Sequence, residues 1–265
     1  CSSVIGDKLA LGYADYVLTE AGFGADLGFE KFVDIKARTN GLEPSAVVLV
    51  ATVRALKSHG GVKFRDLDTP DEAAVERGCA NLEHLVGMIR GFGFPVVVAI
   101  NEFPSDTDGE FAIVKRRAEA AGATAAVKTS VFADGGAGGV ELAEAVVAAA
   151  GGGKTNVKYL FDEDAAVEDK VLALAKNVYG ADDVKWAPAA RRKLKNFHEQ
   201  GWGKLAVCMA KTHLSISHRP TLHGRPSGYT FEISDVRASV GAGFIYPIAG
   251  TMMTMPGLPG SPRAL

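Results

Sequence analysis

Over its first 150 residues the chain switches repeatedly between two hydrophobic periods. Runs that are apolar on both faces, AVVLVAT (46–52), PVVVAIN (95–101) and ATAAVKTS (123–130), predict buried strands. ADYVLT (14–19) predicts another strand ahead of them. The stretches between carry apolar residues three and four apart. GFEKFVDIKAR (28–38), the segment 69–93, DTDGEFAIVKRRAEAAG (106–122) and GVELAEAVVAAAGGG (139–153) therefore predict helices. The second of these opens with Thr69 as its expected N-cap and Pro70 at the first helical position. Strands buried on both faces and joined by helices define an α/β fold with a parallel, helix-covered sheet.

The pattern changes after about residue 155. AAVEDKVLALAKNVYG (165–180) and APAARRKLKNFHEQG (187–201) predict two helices. KLAVCMAKT (204–212) predicts a strand, and YTFEISDVRASVGAGFIYPI (229–248) alternates in the manner of two more. The expected organisation is an α/β region over 1–155 and a smaller C-terminal α+β region over 156–265. The basic run at 191–195 reads as a solvated helix face.

Composition narrows the function. A formal net charge of −2, with no basic tract, argues against nucleic acid or a membrane surface as partner. The longest apolar runs fall well short of the ~20 residues that span a bilayer. Cys1, Cys79 and Cys208 form no disulfide or metal pattern, which fits a reducing cytoplasm. No metal site is expected.

Candidate chemistry lies in the loops that follow the strands, where open parallel sheets bind ligands. These are TEAGFGADLG (19–28), TVRALKSHGG (52–61), NEFPSDT (101–107) and SVFADGGAGG (130–139). Gly22 and Gly24 allow close backbone approach to a ligand. Phe103 and Phe132, at neighbouring strand ends, are placed to sandwich a flat heteroaromatic ring. Arg54, Lys57 and His59 are candidate anion-binding residues, and Glu20, Asp26 and Asp106 supply acids. GGGKT (151–155) imitates the end of a phosphate-binding P-loop. GxxxxGK[ST] requires glycine at 148, however, where Ala148 stands, and these glycines close a helix instead of opening one. Lys154 then reads as a cation near a helix C-terminus, and methionines 252, 253 and 255 as loop packing.

These loops resemble formate–tetrahydrofolate ligase. The matching text is ADYVLTEAGFGADLGFEKFVDIKAR, AVVLVATVRALKSHGG, FPVVVAINEFPSDT, GWGKLAVCMAKT, LHGRPSGYTFEISDVRASVGAGFI and MTMPGLP, in family order across nearly the whole chain. The resemblance implies a P-loop-NTPase-like sheet and an ATP-dependent ligation of formate to tetrahydrofolate through formyl phosphate. It implies ATP with Mg²⁺ and tetrahydrofolate as substrates, a monovalent cation as activator, a cytoplasmic location and a homo-oligomer, a tetramer in the family's habit. By resemblance Phe103 and Pro104 form one wall of the pterin site. Phe132 falls where the family usually carries Trp. Glu20, Gly22, Phe23 and Gly24 form the loop near the nucleotide and the reacting formyl phosphate. KTHLSISHRP departs from the family's usual KTQYSFSDDP, so no role carries over to His213 or His218. The family's own P-loop, roughly TPxGEGKTT, does not occur in these 265 residues. The chain is thus expected to be the C-terminal half of the enzyme and inactive by itself, with a non-catalytic folate-binding or assembly module as the alternative.

Overall fold

A computed structural model of the chain describes residues 4–153 and 155–250. The expectations on Cys1, Lys154 and methionines 252, 253 and 255 lie outside the described residues. Helix α1 (Val4–Tyr13) leads into a segment without regular secondary structure and then a helix of mixed pitch. That helix is continuous over residues 25–40, with π-helical turns at Ala25–Phe29 and Phe32–Ala37 and an α-helical last turn, α2 (Arg38–Asn40).

Three predicted strands form: β1 (Val47–Ala51), β2 (Val96–Asn101) and β3 (Ala125–Thr129). They make a parallel sheet in the order β1-β2-β3, with Val48 opposite Val97 and Val97 opposite Ala125. Residues Val96 to Ile100 of the central strand are buried, as a strand covered on both faces requires. Helices α3 (Val53–His59), α4 (Glu72–Gly91) and α5 (Asp108–Ala120) connect β1 to β2 and β2 to β3. The short helix α6 (Val131–Asp134) and helix α7 (Val140–Ala150) follow β3. In α4 the apolar stripe Val75, Cys79, Leu82, Val86 and Ile89 is fully or nearly fully buried. Gly78 lies in the same face because α3 crosses there. A Cβ at Gly78 would stand 1.9 Å from the Leu56 carbonyl oxygen.

Several expectations are corrected. The expected loop 52–61 is largely helix α3, and the expected strand 204–212 forms only over Ala206–Val207. Residues 14–19 form no strand. Leu18 and Tyr16 remain exposed, and no described strand pairs with the free edge of β1, so the strand pattern has no hydrogen-bonding partner in these residues. Asp71, not Thr69, caps α4, with its carboxylate accepting from the Ala74 N–H at 2.8 Å. Pro70 therefore precedes the cap. At α5 the Thr107–Glu110 capping box is complete.

The C-terminal region has α8 (Val167–Asn177), β4 (Asp183–Trp186), α9 (Pro188–Glu199), β5 (Ala206–Val207), β6 (Thr230–Ile233), β7 (Asp235–Ser239) and β8 (Phe244–Ile248). β4 pairs in parallel with β6, while β5, β8 and β7 form a second small sheet with an antiparallel β7–β8 pair. The basic run of α9 faces solvent around the buried Leu194. A single apolar core runs from Phe29 through the parallel sheet to Tyr179, Phe231 and Ile245. Cys79 belongs to it, and burial raises its thiol pKa to about 11.

Candidate functional site

The carboxyl ends of β1 and β2 are drawn together by side chains. Thr52 caps α3 through the Ala55 N–H, so the helix starts directly after β1 and projects Arg54 towards the next loop. The Arg54 guanidinium lies over the Phe103 ring, 5.3 Å from its centroid, and pairs with Asp68. Ser105 Oγ donates to the same Asp68 oxygen, Oδ1, at 3.3 Å. Phe103 N–H donates to Asp106 Oδ2 at 2.9 Å, which fixes the turn that presents the ring. Burial pushes the Asp106 carboxyl pKa up, against the pull of that bond and of Lys57. Phe103 is half-buried and Pro104 exposed.

The anion-binding trio does not act as one group. Lys57 is fully buried, with Nζ 3.0 Å from Glu110 Oε1 and 3.2 Å from the Thr69 carbonyl oxygen. Its ammonium joins α3 to α5 and does not reach the surface, which corrects the expectation of an anion ligand. His59 Nδ1 accepts from the Gly224 N–H at 3.1 Å, and its ring meets His223 edge-on at 6.1 Å. Burial and His223 lower the His59 pKa, while Asp26 raises it. Only Arg54 keeps a side chain 25% exposed beside the Phe103 ring.

Phe132, on α6 beyond β3, is 97% exposed and has open solvent on its side of the sheet edge. The glycine run behind it is folded back, with Thr129 Oγ1 donating to the Gly138 carbonyl oxygen at 3.2 Å. A Phe103–Phe132 sandwich is therefore not closed in this chain.

Glu20, Gly22, Phe23 and Gly24 form an exposed loop ahead of the mixed helix. Gly24 is the N-cap, and its carbonyl oxygen accepts from the Leu27 and Gly28 N–H groups. The loop doubles back onto that helix so tightly that a Cβ at Gly28 would stand 1.8 Å from the Gly22 carbonyl oxygen. A Cβ at Gly22 itself meets nothing within 4 Å, so its outer side is open. Phe23 has φ +62°, the one non-glycine residue with positive φ among those described. Such a conformation costs on the order of 1–3 kcal/mol and persists only where neighbours fix it. Its ring lies 5.7 Å from His213.

Sequence reasoning missed what lies beneath this loop. Asp26 is buried and pairs with the fully buried Lys211, Nζ to Oδ2 2.6 Å. Lys211 also donates to the carbonyl oxygens of Thr212 and Ser215, which gives its ammonium three acceptors. Burial lowers the Lys211 pKa, and Asp26 opposes that shift. No local spacing relates residues 26 and 211; Asp26 was legible as a candidate acid and Lys211 as a lysine at the end of the predicted strand 204–212, but their pairing was not.

The glycines at 151–153 follow the end of a helix. Gly151 caps α7 with its N–H bonded to the Val147 carbonyl oxygen, and Thr155 Oγ1 donates to the Pro44 carbonyl oxygen at 2.9 Å. These groups form no phosphate cradle. Among the described residues no group of three or more His, Cys, Asp or Glu side chains is set to hold a metal ion, and no helix is long and apolar enough to cross a membrane.

A parallel α/β sheet flanked by helices, with glycine- and aromatic-rich loops after its strands, places the chain in the open-sheet α/β class. The sequence profile of the formate–tetrahydrofolate ligase family matches residues 1–265, and the chain belongs to that family. It is 51% identical to a formate–tetrahydrofolate ligase of Desulforamulus reducens and 52% to one of Roseiflexus castenholzii, over 99% of this chain and 48% of each relative. A third, from Methylorubrum populi, is 51% identical over the whole chain and 47% of its own length. The chain thus spans about half the length of the curated relatives it matches.

Proposed function

We propose that this chain is the folate-binding part of an ATP-dependent formate–tetrahydrofolate ligase. In this reading formate is phosphorylated by ATP to formyl phosphate. The folate amine then forms a C–N bond to the formyl carbon, the C–O bond to phosphate breaks and the amine proton passes to solvent. Phe103 and Pro104 give one wall of the pterin site, with Arg54 behind the ring, and Phe132, exposed beyond β3, is assigned to the other face. The Glu20–Gly24 loop borders the formyl phosphate. Asp26 and Lys57 act from beneath the surface and touch no substrate.

The observation that carries the reading is the Arg54–Phe103 stack at the joined ends of β1 and β2, in a chain that matches the ligase family along its whole length. The phosphate chemistry belongs to a segment outside these 265 residues. Phosphoryl transfer depends on positioning and charge neutralisation by P-loop amides, a lysine and Mg²⁺. Because Gly151 closes α7 and opens no phosphate-binding helix, the chain alone is read as inactive, with a non-catalytic folate-binding or assembly module as the alternative. Mixed with ATP, formate and tetrahydrofolate, it should release no ADP above the formate-free control. Formate- and folate-dependent ADP release by the chain alone would overturn that division of labour.

A further inference from the structure

We infer that the buried Asp26–Lys211 ion pair is a positioning clamp that fixes the Gly22–Phe23–Gly24 loop against the 211–215 turn and so aims its open side at the reacting formyl group. The inference rests on the reading of that loop as the border of the formyl phosphate. Neither partner is available to substrate: Lys211 is 1% exposed and Asp26 8%. A buried ion pair is weak evidence for a stabilising role, since apolar residues of similar size often serve as well. Its use lies in what it joins.

Asp26 sits in the first turn of the mixed helix, directly after the loop, and Lys211 sits 185 residues further along the chain. The lysine gathers both sides at one atom. Its Nζ binds Asp26 at 2.6 Å and the Ser215 carbonyl oxygen at 2.6 Å. The far side is stiff in its own right. Ser215 Oγ donates to the Leu222 carbonyl oxygen at 2.6 Å, and Ser217 N–H donates to Ser215 Oγ at 3.0 Å. His213 projects from this turn against the Phe23 ring. On the near side, Gly24 bonds forward into the helix and Gly22 rests on Gly28. Phe23, caught between the two sides at φ +62°, is held in a conformation it would leave if either side moved.

The test uses the complete ligase that contains this segment, with three measurements. Gly22→Ala probes the loop reading alone, because the added Cβ has room in the fold. It should lower kcat at least about tenfold by filling the open side, a displacement to which rates are steeply sensitive. Unchanged kcat would remove the loop from the site and the clamp with it. The double variant Asp26→Asn/Lys211→Met probes the clamp. It removes both charges together and should keep the urea midpoint of the parent. Its kcat should fall roughly tenfold to a hundredfold, with the folate KM held within about threefold because Phe103 stands on a different loop. A purely structural pair predicts parental kcat wherever the urea midpoint is parental, and that result overturns the proposal. The third measurement needs no variant and decides the matter if the double variant does not fold. In the unmodified protein the Leu27 and Gly28 amides, bonded to the Gly24 carbonyl, should exchange hydrogen at least about a hundredfold more slowly than free peptide. Exchange at the free-peptide rate means that the loop is not clamped.

Discussion

Glu30 is fully buried on the mixed helix, with neither carboxylate oxygen hydrogen-bonded and Lys31 Nζ 3.8 Å away. Burial raises its pKa from 4.5 to about 8, with Asp34 and Asp26 adding to the rise against Lys31. The folded protein therefore binds this proton more tightly than the unfolded chain. The stability it gives is full below pH 4.5 and is lost as pH rises through about 8. Urea midpoints of the chain should fall between pH 5 and pH 8, and Glu30→Gln should flatten that fall and stabilise the protein at pH 8 by on the order of 3–5 kcal/mol. An unaltered slope in the variant would assign the pH dependence elsewhere. Phe103 carries the matching prediction for function. Stacking on an aromatic ring is worth about 1–3 kcal/mol, so Phe103→Ala in the complete ligase should raise the folate KM roughly fivefold to a hundredfold, while the KM for ATP stays put. At this scale the sequence was legible where a residue type has one use. An aromatic in a polar loop after a buried strand marked Phe103 correctly as a loop-end ring. It misread Lys57, because the charge that absorbs a buried lysine is Glu110, 53 residues away on another helix.

The elements show which patterns are local. Strands β1 to β3 and helices α4, α5 and α7 follow from hydrophobic period alone, since each satisfies its own backbone or pairs with a neighbour in the same half of the chain; TVRALKSHGG (52–61), expected as a loop, instead forms α3. Residues 14–19 carry an equally good strand pattern and form none, because a strand exists only with a partner. β4 went unread because DVKW (183–186) is four residues long and half polar. The junction of α3 with α4 and α5 gives two predictions. Gly78→Ala puts a methyl group into the Leu56 carbonyl and should cost about 1–3 kcal/mol of stability by overpacking. Lys57→Met strands Glu110 without its cation and should cost about 3–5 kcal/mol. Equilibrium urea unfolding checks both, and a parental midpoint in either would mean that the α3–α4–α5 junction yields more readily than its geometry implies.

At the scale of the whole molecule, the sheet's carboxyl edge joins two of the four loops that the sequence singled out. These two, after β1 and β2, meet in the Arg54–Phe103–Asp68 cluster. The loop at 20–24 is anchored to the far end of the chain through Lys211. The loop with Phe132 stands apart and exposed, open to a ligand or to further protein. Long-range contacts of this kind leave no periodic trace, which is why the loops were legible and their assembly was not. The most direct test of the account is calorimetric titration of tetrahydrofolate into the 265-residue chain and its Phe103→Ala variant. Saturable binding that the variant weakens at least about fivefold is the predicted result. Equal binding by the two, or none by either, would contradict the assignment of the folate site to this edge of the sheet.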